Sequence, residues 1–80
     1  MPVFYLDIET DTSFIRDDEG RWFRNVEDAN DEAGEAVTAI IWEAKVDRVT
    51  ITVRDSAGNT VGVASASLQK ERSKRRRKDR

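Results

Sequence analysis

The chain has 80 residues, 14 of them basic and 16 acidic, and contains neither cysteine nor histidine. One small domain is what that length supports, and its core must be thin, so a partner subunit is a natural supplement. Without thiol or imidazole there can be no disulfide, no Cys-based or His-based nucleophilic catalysis, and almost no zinc or copper site of the nitrogen and sulfur kind.

Val3 to Glu9 is rich in β-branched and aromatic residues, and Phe4, Leu6 and Ile8 alternate with Tyr5, Asp7 and Glu9, which predicts a strand with one apolar face. Thr10 to Ser13 is a polar break, and Phe14-Ile15-Arg16 can continue pairing before Asp17-Asp18-Glu19-Gly20 turns the chain. Arg21 to Arg24 reads as a second short strand.

Asn25 is a good helix N-cap, and Glu27, Asp28, Asp31 and Glu32 suit the positive end of a helix dipole. Val26, Ala29, Ala33, Ala36, Val37, Ile40 and Ala44 then recur at spacings of three and four, which predicts an amphipathic helix. The alanines along that stripe let the helix axis sit close to a sheet, while Gly34 weakens the helix by about 1 kcal/mol.

Asp47 to Arg54 alternates again, with Val49, Ile51 and Val53 on one side and Arg48, Thr50, Thr52 and Arg54 on the other. Asp55 to Asn59 is a hairpin connection in which Gly58 can take a positive φ. Thr60 to Leu68 makes the last strand, and its apolar parity shifts after Val61 and Val63 to Ala64, Ala66 and Leu68, so a bulge is expected near Val63. The resulting expectation is an α+β fold: a four-stranded antiparallel sheet in β-β-α-β-β order with one helix packed across one face.

Residues 70–80 depart from all of this. They hold eight basic side chains against Glu71 and Asp79, a net +6, whereas residues 1–69 carry six basic against fourteen acidic, a net −8. The expected organisation is a single domain over 1–69 and a disordered basic tail over 70–80. The first residues run straight into a strand pattern and no apolar run reaches the roughly 20 residues that cross a bilayer, so no secretory leader, a cytoplasmic location and no membrane partner are expected.

The opening Met1 to Asp7, the segment Ile15-Arg16-Asp17-Asp18-Glu19-Gly20, the alanine-rich acidic helix and the closing Val53 to Gly58 resemble a family of short bacterial proteins, the domain-of-unknown-function family 6894. The resemblance spans residues 1–68 and implies a compact α+β domain without any assigned activity or catalytic residues to carry over. The basic tail and Trp42 depart from the family's usual pattern.

Five features could carry function. Trp42 falls nearly opposite the apolar stripe of the helix, among Asp31, Glu35 and Thr38, so it is expected to be exposed. An exposed tryptophan among polar groups can anchor a protein partner, unless the helix ends early or a tail arginine stacks on it. The sheet face away from the helix should show Val3, Tyr5, Thr50 and Thr52, less polar than a fully solvated face needs to be, and sheet-to-sheet homodimerisation would cover it. In the tail, Lys70, Arg72, Lys74, Arg75, Arg76, Arg77, Lys78 and Arg80 could bind nucleic acid or another polyanion through phosphates, or could serve only as a solvated arm or fold back on the acidic body. Asp17, Asp18 and Glu19 invite a hard cation, but consecutive carboxylates in a turn are ordinarily solvated, and neither metal nor cofactor is expected. Ser65 and Ser67 have no base to activate them, and so small a domain has little room for a catalytic cleft, so no enzyme activity is expected. The leading expectation is a non-enzymatic protein-interaction module acting as a homodimer; the alternative is a nucleic-acid-associated regulator gripping phosphates through the tail.

Overall fold

The computed structural model describes residues 2–68; the predicted basic tail and its polyanion candidates lie outside the described residues. In chain order the elements are β1 (Val3–Thr10), β2 (Phe14–Ile15), β3 (Arg21–Trp22), α1 (Val26–Glu43), β4 (Arg48–Arg54) and β5 (Thr60–Ser67). All pairings are antiparallel, and the sheet runs β2-β1-β4-β5, with β3 also paired to β1.

The sheet therefore has five strands where four were expected. Ile8 pairs with Ile15 and Phe4 with Arg21, so three residues separate the pairs on β1 but five on the returning chain. Two extra residues cannot be accommodated in a regular ladder, and the edge splits into β2 and β3 around the Asp-Asp-Glu-Gly turn.

The helix begins as expected: the Asn25 side chain accepts the Asp28 N–H at 2.8 Å. It ends at Ala44, after which Lys45 takes the left-handed conformation (φ 58°) usual for glycine at this position. Its buried row is Ala29, Ala33, Val37 and Ile41. Ile41 thus belongs to the core, whereas Ala44, expected on the stripe, is the exposed cap, because the helical face stops one residue before it.

Val49, Ile51 and Val53 of β4 are fully buried beneath α1, with Phe4 and Phe23 closing the core at an edge-to-face contact of 6.0 Å. The helix lies over β4 and β5 and makes little contact with β1, which leaves Leu6 and Ile8 only half-buried on the helix side. Where α1 crosses β5, Gly62 lies so near Asn30 that any Cβ there would overlap the amide. The bulge falls opposite Val53 and Arg54, which pair with Gly62 and Thr60, rather than near Val63. Val61 is the extra residue; it turns toward the core, and Val63 is left on the outer face.

Candidate interaction surfaces

Because strand side chains alternate, the β1–β4 register sets the outer face of the sheet: Tyr5 opposes Arg54, Asp7 opposes Thr52 and Glu9 opposes Thr50. Val3, Tyr5, Thr50 and Thr52 lie there as expected, each half-buried. The same register adds three residues the sequence reading overlooked. Trp22 pairs with Val3, Phe14 with Glu9 and Val63 with Thr52, and they are 53%, 60% and 64% exposed. For Trp22 the signal was available in its alternation with Arg21 and Phe23, since Phe23 is buried and Arg21 stacks on its ring at 4.9 Å. Trp42 is 66% exposed near the C-terminal end of α1, on the opposite side of the molecule from the outer face.

At the centre of the outer face sits a buried ion pair. Asp7 is 7% exposed, and Arg54 donates to it twice, from Nε to Oδ2 at 2.7 Å and from Nη2 to Oδ1 at 2.9 Å. Nη2 also reaches the Asp17 carbonyl at 3.1 Å, and the Arg54 guanidinium lies 5.1 Å over the Tyr5 ring. Asp7 Oδ1 accepts the Asp17 N–H at 3.0 Å. The Arg54 hydrogen bonds hold the Asp7 carboxyl below the ordinary carboxylate range despite its burial.

Asp17 is likewise engaged, which corrects the expectation that the turn's carboxylates are merely solvated. Its Oδ2 accepts the Leu6 N–H at 3.0 Å, and its Oδ1 accepts the N–H groups of Glu19 at 3.0 Å and Gly20 at 2.9 Å. Burial pushes its carboxyl up, and the three backbone donors together outweigh that and lower it. Asp18 and Glu19 are exposed. Gly20, at φ 74°, packs against Val3 and Tyr5, so a Cβ would come within 2.7 Å of Val3 Cγ1. The arrangement is a brace: two ionised carboxylates saturated with donors pin the turn to β1 and β4.

Among the described residues no group of three His, Cys, Asp or Glu could hold a metal ion, and no helix is long and apolar enough to cross a membrane. Ser65 is exposed on β5, on the outer face opposite Thr50.

One helix on an antiparallel sheet, with the sheet's other face open and braced by an Asp-Arg-Asp network, defines a small α+β domain of a single type. The chain belongs to the family described as Domain of unknown function (DUF6894), whose model matches residues 3–67. No curated protein and no solved structure matches it.

Proposed function

We propose that this chain is a small, cytoplasmic, non-enzymatic protein-interaction module that acts as a homodimer. The observation that supports it is one-sided cover: α1 shields the β4 and β5 part of one face of the sheet, while Trp22, Phe14 and Val63 ring the other face, which no helix covers. Aromatic residues at the margin of a half-polar face are the composition of a recognition surface, and Trp42 offers a second anchor on the far side. Light scattering of the full chain over a wide concentration range tests the reading. Concentration-dependent dimers support it, and a strict monomer with both tryptophans emitting as solvent-quenched indoles would remove it.

A second reading rests on the segregation of charge, −8 over residues 1–69 and +6 over 70–80. In it the basic residues grip nucleic-acid phosphates and the acidic body limits indiscriminate binding. Gel shifts at two salt concentrations, comparing the chain with a variant in which Arg75, Arg76 and Arg77 are glutamine, separate the two. Equal affinity with and without those arginines ends this reading.

A further inference from the structure

The two edges of the sheet differ. The β2 and β3 edge is split by the braced turn and carries Arg16, Asp18 and Arg21. The opposite edge is β5, eight residues long, with no charged residue and no proline between Thr60 and Ser67. Long uncharged edges are the ones that soluble proteins ordinarily blunt, because their outward N–H and C=O groups template further pairing. Here the Leu68 N–H donates to the Asp47 carbonyl at 3.0 Å, so the backbone groups of 47 and 68 face each other across the ladder, although the Asp47 N–H goes instead to Asp11 Oδ1 at 3.3 Å. Bonded pairs alternate in an antiparallel ladder, so Gly62, Ala64 and Ala66 face β4, and the backbone groups of Val63 and Ser65 point outward.

We infer that β5 pairs antiparallel with β5 of a second copy, joining two sheets into one across a two-fold axis at Ala64. This rests on the homodimer reading above but places the contact between copies at the β5 edge, which leaves the outer face with Trp22 to a protein partner. In that register Val63 of each copy bonds with Ser65 of the other, and both helices lie on the same side of the joined sheet. Each helix sits over β4 and β5, so with strands about 4.8 Å apart the two axes come to about 10 Å, the spacing of packed helices. The flank of α1 on the β5 side carries Asn30, Gly34 and Thr38, with Asp31 and Glu35 beside them. A Cβ on Gly34 would meet nothing within 4 Å in the lone protomer, so there is room for a second helix. With Gly34 at the crossing, Thr38 of the second copy faces Asn30, whose buried Oδ1 meets no donor among the described residues.

Charge selects a second copy as the occupant. α1 and β5 run in the same direction, because the short 44–47 link reverses the chain into β4 and the hairpin reverses it again. The chain therefore leaves β5 beside the C-terminal end of its own helix. Antiparallel pairing sets Leu68 of each copy beside the N-terminal half of the other helix, with Glu27, Asp28, Asp31, Glu32 and Glu35, and the sequence that follows Leu68 carries a net +6 over 70–80. A face-to-face dimer would instead put Glu9, Arg48 and the Asp7–Arg54 pair into its interface, where the charges would have to be desolvated.

Light scattering on three full-length variants tests this. Ser65→Pro removes an N–H that makes no bond to β4, and Gly34→Glu adds a favourable helix former that collides with its own copy at the two-fold. Both are expected to be monomeric with the circular dichroism of the wild type, while Trp22→Ala remains dimeric. Wild-type association is expected to weaken several-fold as salt rises, since the tail and the acidic helix attract. Folded Ser65→Pro and Gly34→Glu proteins that still dimerise overturn the edge geometry alone, as does dissociation by Trp22→Ala. Should Ser65→Pro fail to fold, Gly34→Glu decides. A wild type that is monomeric throughout removes the homodimer reading and this geometry together.

Discussion

Replacing Asp7 by asparagine probes the brace with almost no change in volume. The carboxylate takes two hydrogen bonds from Arg54 and one from the Asp17 N–H, and every partner is a donor. Asparagine keeps one acceptor oxygen and points its own N–H groups at a guanidinium or an amide. At least one charge-assisted hydrogen bond is lost and one donor is left facing another, which costs about 2–3 kcal/mol at a site this enclosed. A domain of this size has roughly 4–12 kcal/mol in total. The midpoint of thermal unfolding should fall by about 10–20 °C. Urea unfolding followed by circular dichroism measures the loss directly, and the pH dependence checks its origin. Asp7 titrates below its ordinary 3.8 in the folded protein, so its contribution is present in full above the unfolded value and disappears as pH falls through the depressed one. The gap between wild type and Asp7→Asn should be constant near neutrality and close below about pH 4. A gap under about 0.5 kcal/mol at pH 7, or one that persists into acid, would refute the reasoning.

Gly20→Ala should destabilise by about 2 kcal/mol, since the residue stands at φ 74° and its Cβ would press on Val3 and Tyr5; a thermal melt reads this out. Lys45→Gly should stabilise by roughly 1 kcal/mol in urea unfolding, because it relieves a left-handed conformation at the helix end. Trp42→Gln should leave stability within about 0.5 kcal/mol of wild type, given how little of the indole is covered, and a larger loss would place that side chain in the fold.

Periodicity made most of the fold legible. The alternation of Val49, Ile51 and Val53 fixes which face of β4 is inside, and that register puts Thr50 and Thr52 outside. Asn25 and Gly58 declare the helix start and the hairpin because their roles are local. What resisted reading depends on contacts distant in sequence. Asp17 bonds the Leu6 amide eleven residues away, and nothing in an Asp-Asp-Glu-Gly run distinguishes that from a solvated turn. The split of the edge strand goes with that bond and with the two extra residues it holds. Nor does the helix's stripe say over which strands it lies; the position over β4 and β5 depends on how closely Ala29 and Ala33 let it approach, and on Gly62 beneath Asn30.

If β5 pairs with a second copy as proposed, the braced turn and the plain β5 edge are complementary parts of one device. A sheet with two open edges can polymerise, whereas a sheet with one closes as a dimer. The two extra residues between Ile15 and Arg21, held by Asp17, interrupt the first edge and keep its outward backbone from forming a continuous template. Deleting Asp18 and Glu19 makes the spacing equal on both strands, and the segment from Phe14 to Trp22 can then pair with β1 without interruption. The turn's brace is lost in the process, so the deletion should lower stability by about 2 kcal/mol while creating a second regular edge. Light scattering should then show growth beyond the wild-type assembly, accompanied by added β signal in circular dichroism. A folded deletion variant with the wild-type oligomeric state would mean that the turn does not serve to close the edge, and that its brace exists only to hold β1 against β4.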